Sequence, residues 1–318
     1  MHAIACLVSI PTTCRVRSCL LFSGHRSEKG HIDAIHKLMR QDGRIDARIC
    51  ALEPLSKSDT LAGQAQLMAQ SMMAMVDVIG QLSPTFVLVY GDRGEALATT
   101  LAATRMGIPV AHVEGGDWTE GGCLDDNARH AITRLASLHF ATTEHAAAQL
   151  IAMGEEPWRI RVCGLPILDF VAAGDFTPEA EMRAKYGLGD GAFMLICHHP
   201  VPGEEPMPAP PPDMKAFVIR ANGDAGSPAV DAALAHLPGA SNVSRADYHG
   251  LMNACLCMAG NSSSFVKEAP AFGKPVVLVG NRQKGRYPGP YEALGAGRII
   301  ADVLASADLE RLRIKRRT

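Results

Sequence analysis

The 318-residue chain has no run of about eighteen apolar residues, so no membrane-spanning helix is expected. It also lacks strong net charge. At −2 there is no global field drawing it to nucleic acid or an anionic membrane. The first fifteen residues are mildly apolar but lack a clean charged–apolar–cleavage sequence, so no signal peptide is expected. Nine cysteines (Cys6, Cys14, Cys19, Cys50, Cys123, Cys163, Cys197, Cys255 and Cys257) include no two pairs at zinc-site spacing. Their odd number and wide scatter fit free thiols in a reducing compartment, hence a cytoplasmic location. Three fingerprints are missing as well. Without G-x-G-x-x-G and its following acid, a nicotinamide dehydrogenase is disfavoured. The Walker A lysine sequence is absent, and no G-x-S-x-G elbow supports an acyl hydrolase.

What is present is an ordinary globular composition, 47% apolar and 20% charged, with thirty glycines and twenty prolines. That many turn residues suits an α/β chain of two domains, assigned here to residues 1–170 and 171–318 with the linker late in 165–178. The pattern is clearest between residues 83 and 130. A buried-strand run, Phe86 to Tyr90, empties into a loop with Asp92, Arg93 and Glu95. A helix pattern follows from Ala96 to Met106. A second strand, Pro109 to Val113, ends at Glu114, Asp117 and Glu120. Such a βαβ unit places polar loops where open parallel sheets bind ligands.

Upstream, strand 16–22 runs through Gly24 and Arg26 into a helix from His31 to Met39, the arrangement of an anion-binding turn. The Met-rich helix Thr60 to Leu82 reads as core filler or a helix–helix surface. Asp125 and Asp126 open the helix that ends at Leu135, where the dipole favours acids, and Asp125 shares a face with Arg129. In the second half, a strand at 192–197 leads to His198 and His199, and a proline-rich loop follows. A strand at 254–258 empties into Gly260-Asn261-Ser262-Ser263-Ser264, whose amides and hydroxyls suit a diphosphate. Glu268 is placed to accept from two ribose hydroxyls. Arg282 and Arg286 offer guanidinium clamps. The acids Asp92, Glu114 and Asp117 admit metal ligation, acid–base work or plain solvation. The basic stretch Arg311 to Arg317 reads as a solvated terminus. On residues alone, the chain is a two-domain α/β enzyme for a phosphorylated or nucleotide-linked substrate.

The stretches GDRGEALA, GIPVAHVEGGDWTEGG, DDNARHAITRLASLHFATTE, NVSRADYHGLM and GNSSSFVKEAPAFGKPVVLVGNRQKGR resemble the hydrolysing branch of the UDP-N-acetylglucosamine 2-epimerase family. The resemblance runs from about Arg17 to Arg286. It implies two Rossmann-like domains of glycosyltransferase-B type around a central cleft, and a homodimer. It further implies that Asp92, Glu114 and Asp125 surround the sugar. Arg26 and His199 would lie near the diphosphate, Asn261 and the three serines would bind it, and Glu268 would hold the ribose. Arg129, Arg282 and Arg286 would complete the substrate site. The implied reaction removes the C2 proton, expels UDP to leave a 2-acetamidoglycal, and hydrates it to N-acetylmannosamine, with no metal or redox cofactor. It would serve sialic or nonulosonic acid synthesis.

Departures from the family pattern are a short chain, the proline-rich segment in place of a helix, and a C-terminal helix reduced to 308–315 or absent. A glycosyltransferase of the same architecture and a non-catalytic nucleotide-sugar binder are the alternatives.

Overall fold

The computed structural model describes residues 16–24, 26–51, 60–120, 124–201, 207–221 and 226–315. The first half alternates strand and helix. Its elements are β1 (Arg17–Ser23), α1 (Arg26–Asp42), β2 (Ile45–Ala51), α2 (Leu61–Leu82), β3 (Phe86–Tyr90) and α3 (Gly94–Arg105). These are followed by β4 (Val110–Val113), α4 (Leu124–Leu135), β5 (Leu138–Ala141), α5 (Glu144–Ala152) and β6 (Ile160–Val162). Every pairing is parallel, in the order β2-β1-β3-β4-β5-β6. β3 is buried along its whole length, as a strand covered on both faces must be. Phe86, Leu88 and Tyr90 face one core with α1, while Val87 and Val89 face another with α2 and α3.

Helices α6 (Leu168–Ala172) and α7 (Glu179–Tyr186) lead to β7 (Met194–Cys197), β8 (Ala216–Ile219), α8 (Ser227–Ala233) and β9 (Gly239–Ala240). Then come α9 (Arg245–Ala254), β10 (Cys257–Gly260), α10 (Ser264–Lys267), β11 (Val276–Leu278), α11 (Ala296–Ser306) and α12 (Leu309–Arg313). The second sheet is also parallel, ordered β11-β10-β7-β8-β9. β10 begins three residues later than its apolar run suggests, because α9 claims the residues through Ala254. Between β7 and β8 the described residues form no helix, in keeping with the prolines there.

The C-terminal segment corrects the expectation of a lost or reduced helix. α11 returns to the first sheet and packs on α1, burying Ile300, Ala301 and Leu304 among Leu21, Ile35 and Met39. Leu312 of α12 joins the same core. Each such aliphatic side chain contributes about 1.5–3 kcal/mol on burial. Gly297 permits the contact, since a Cβ there would overlap the Ile35 carbonyl. The returning chain is fastened at its start. The Asp169 carboxylate accepts from the Gly295 and Ala296 amides at 2.9 and 3.0 Å, and Leu165 N–H donates to the Glu292 carbonyl at 2.8 Å.

The basic tail also departs from its reading as a loose terminus. Arg311 stacks over Trp158 at 3.6 Å, and Lys315 donates to Glu155 at 2.5 Å. On α2, Met75 is fully buried whereas Met73 is 72% exposed, so the core-filler reading holds for one face only.

Candidate active site

Both sheets are parallel, so the loops leaving their strands at the C-terminal ends collect the polar residues. A cavity of about 280 Å³ is lined by both sets. From the first half come Asp92 after β3, Glu114 after β4, and Asp125 and Arg129 on α4. From the second come His199, Ser262, Ser263, Ser264, Glu268, Arg282 and Arg286. Nearly all the residues singled out in the sequence therefore meet at one place. Asn261 lies behind the wall instead, fully buried. Its carboxamide accepts from the His199 amide at 2.7 Å and donates to the His199 carbonyl at 2.9 Å, so it holds the histidine loop against the serine turn. The Arg26 side chain lies outside the described residues. Asp125 and Arg129 both line the wall, and Asp126, one residue on, lies 3.9 Å from the Arg129 Nε.

The serine turn is built by close approach. Gly260 ends β10 with φ 140°, and a Cβ there would overlap the Cys197 carbonyl. The Ser262 and Ser264 hydroxyls bond each other at 2.8 Å, and Tyr248 reaches Ser264 at 2.5 Å. The Glu268 carboxylate pairs with the His249 Nε2 at 3.0 Å.

Opposite this turn stands a dense charge cluster. Arg129 is only 2% exposed; it pairs with Asp92 and donates to the Glu114 carbonyl at 3.0 Å. Burial pushes the Asp92 carboxyl up, but the Arg129 guanidinium, then Lys267 and Arg286, outweighs it and holds the group below its ordinary value. Lys267 pairs with Glu114 and lies 2.6 Å from Asp117, which also pairs with Arg286. Cations of the chain itself thus stand among the acids for which metal ligation was one reading, and among the described residues no group of three His, Cys, Asp or Glu could hold a metal ion.

Glu114 has φ 71°, the left-handed region that a non-glycine residue enters at a cost of roughly 1–3 kcal/mol. Two residues on, Gly116 lies against α5 so closely that a Cβ there would overlap the Ala146 carbonyl. Behind it, His112 is wholly buried and bonds the Gly91 carbonyl at 2.8 Å, fixing the loop that carries Asp92. Burial moves that imidazole down to about 3, so it stays neutral.

Lys267, Glu28 and His31 are among the cavity groups that the sequence reading does not single out. Lys267 precedes Glu268 and falls among apolar neighbours, where a lone lysine is a signal of special pairing. Glu28, in the first turn of α1, accepts from the Gly24 amide at 3.0 Å, and burial pushes it up to about 8. His31 stacks on Tyr90 with ring centroids 4.1 Å apart. Neither Glu28 nor His31 has a local sequence pattern that distinguishes it from an ordinary helix residue.

Comparison with known proteins gives a family. Residues 31–301 match the UDP-N-acetylglucosamine 2-epimerase model. A UDP-N,N'-diacetylbacillosamine 2-epimerase (hydrolyzing) of Legionella pneumophila is 28% identical over 275 residues, 80% of this chain and 72% of that protein. A UDP-N-acetylglucosamine 2-epimerase of Neisseria meningitidis is 30% identical over 227 residues, 66% of this chain and 59% of that one. Among solved structures, the Neisseria meningitidis UDP-GlcNAc 2-epimerase bound to UDP-GlcNAc superimposes with TM-score 0.73 at 16% identity, covering 92% of this chain and all of that one. The Methanocaldococcus jannaschii enzyme in complex with UDP-GlcNAc and UDP gives 0.72 at 16% identity, with 91% of this chain and all of that one covered. The fold is theirs, and the matched family model covers most of the chain: it belongs to the UDP-N-acetylglucosamine 2-epimerase family.

Proposed function

We propose that the chain is a hydrolysing nucleotide-sugar 2-epimerase, converting UDP-N-acetylglucosamine or a related amino-sugar nucleotide and water to the 2-epimeric free sugar and UDP. One observation carries this reading. Asp92, Glu114 and Asp125 line the same cavity as the serine turn, Glu268 and Arg282, so proton-transfer groups and an anion-binding turn face one space. The cavity would be the cleft between two Rossmann-like units of glycosyltransferase-B type. We place the first unit at about residues 1–170 and the second from 171, with the segment after 295 returned to the first core.

In this reading Glu268 holds the ribose hydroxyls, and the serine turn, His199, Arg282 and Arg26 take the diphosphate. A carboxylate among Asp92, Glu114 and Asp125 removes the weakly acidic C2 proton. UDP leaves from C1 with its growing charge met by fixed donors. Water adds to the glycal at C1 while a protonated carboxyl returns hydrogen to the opposite face of C2. Arg129 supplies orientation, since it pairs with Asp92 and binds the Glu114 main chain at once. A homodimer in the cytoplasm is part of the proposal, and no helix of the described residues is long and apolar enough to cross a membrane.

The test is incubation with UDP-N-acetylglucosamine and with 4-amino-4,6-dideoxy and GDP-linked analogues, monitored for nucleotide release. Release of the nucleoside diphosphate with a 2-epimeric sugar from one of them supports the reading. Transfer of the sugar to an acceptor with C2 untouched would replace it with a glycosyltransferase.

A further inference from the structure

Lys267 has no counterpart among the residues assigned above, yet it occupies the centre of the charge cluster. It is 6% exposed and lines the cavity. Its ammonium pairs with the Glu114 carboxylate and lies 2.6 Å from the Asp117 carboxylate. It sits at the end of the one-turn α10, whose first residue is Ser264. Lys267 N–H donates to the Ser263 carbonyl at 3.0 Å, which ties the lysine backbone to the serine turn. The side chain therefore connects the anion-binding turn of the second sheet with the acidic loop of the first.

A buried lysine costs too much to be incidental. Burial, with Arg286 and Arg282 nearby, pushes its ammonium well below the ordinary lysine value, while Asp92 and Glu268 push it back up. Methionine would fill the same volume without that cost. Meanwhile the Glu114 carboxylate, on a left-handed backbone, pairs with Lys267 and has the Arg129 guanidinium no nearer than 4.0 Å.

We propose that Lys267 is a positioning residue for C2 proton transfer, holding the Glu114 carboxylate in register with whatever anion the serine turn binds. The role rests on the epimerase reading. Occupation of the turn fixes the backbone of α10, and the lysine at its end passes that order to Glu114. Asp117, held from the other side by Arg286, keeps the lysine from swinging away. Charged groups facing Glu114 are Lys267 from α10, Arg129 and Asp125 from α4, Asp92 from the loop after β3, Arg286 from the loop after β11, and Asp117 on its own loop. Loss of one cation from this set favours the protonated carboxyl.

The experiment compares wild type, Lys267→Met and Lys267→Arg for UDP binding by calorimetry, UDP release, C2 deuterium incorporation, and the pH profile of kcat/KM. In the methionine variant, UDP affinity should stay within about threefold and kcat should fall roughly 100-fold, about 2.7 kcal/mol. The acid limb of kcat/KM should move to higher pH by about one unit. Arginine should recover activity to within about tenfold of wild type, because it retains the charge. Lys267→Gln, which keeps a donor to both carboxylates, takes the place of the methionine variant if that one does not fold. Wild-type turnover with unchanged kcat and pH profile in Lys267→Met overturns the role of Lys267 alone. A loss confined to UDP affinity does so too. A folded wild type that binds UDP but turns over none of the tested sugar nucleotides overturns the epimerase reading, and this role with it.

Discussion

Replacing Arg129 with methionine should unfold the site before it alters any bond-making step. The guanidinium is 2% exposed, pairs with Asp92, donates to the Glu114 carbonyl, and lies within 4.0 Å of Glu114, Asp117 and Asp126 oxygens. Methionine fills the volume but leaves the acids beside Arg129 short of a cation. Breaking a buried pair from one side costs about 3–5 kcal/mol. At roughly 2–4 °C per kcal/mol for a chain of this class, the melting temperature should fall by about 6–20 °C at pH 7. The deficit should shrink in acid. Asp92 has a depressed value in the folded protein, so its stabilising charge is present above the unfolded value of 3.8 and is lost as pH falls through the folded one. Adding Asp92→Asn should return part of the loss, because it removes one of the stranded charges. Thermal melts of wild type and the two variants at pH 7 and below pH 4 test this. A single variant melting within about 2 °C of wild type at pH 7 would refute the claim that Arg129 organises the acids.

Glu28→Gln should stabilise the protein in alkali. The Glu28 carboxyl is raised from 4.5 to about 8, so the folded state keeps a proton that the unfolded chain sheds. Stability therefore declines as pH rises through that window, by a few kcal/mol on the order of the shift. Urea midpoints of wild type should drop between pH 5 and pH 8.5, and those of the glutamine variant should drop less; parallel curves would count against a neutral Glu28. Ile300→Ala should cost about 2–5 kcal/mol, since its side chain is fully buried between α11 and the first sheet. A cost below about 1 kcal/mol by chemical denaturation would mean α11 is only loosely docked. Glu268→Gln should weaken UDP binding by about 10–100-fold, the worth of hydrogen bonds to a charged acceptor, while kcat stays within about threefold. Calorimetry with UDP decides it, and unchanged affinity would remove Glu268 from ribose recognition.

The site was legible wherever a buried strand ended in polar residues. Phe86 to Tyr90 and its following Asp92 form a continuous apolar run with an abrupt stop, and that pattern survives any detail of packing. The same holds for Gly260 to Ser264, where glycine and hydroxyl residues cluster at a strand end. Long-range charge pairing was not legible. Lys267 meets Glu114 across 153 positions of sequence, a relation that no local period records. The return of α11 was hidden for a similar reason. Its apolar stripe looks like that of any helix, and only Gly297 against the Ile35 carbonyl and Asp169 at its first turn reveal which sheet it serves. The left-handed backbone of Glu114 is equally silent in sequence, because glutamate carries no local pattern that marks a positive φ.

The central claim is a proton-transfer reaction at C2 coupled to loss of UDP. Its most direct test is a phosphorus and proton NMR time course with UDP-N-acetylglucosamine, its 4-amino-4,6-dideoxy relatives and the GDP-linked sugar in deuterated water. One of them should yield free nucleoside diphosphate together with a 2-epimeric sugar carrying deuterium at C2. Release of nucleotide with protium retained at C2, or no release and no exchange from any of them by a folded, UDP-binding protein, would contradict it.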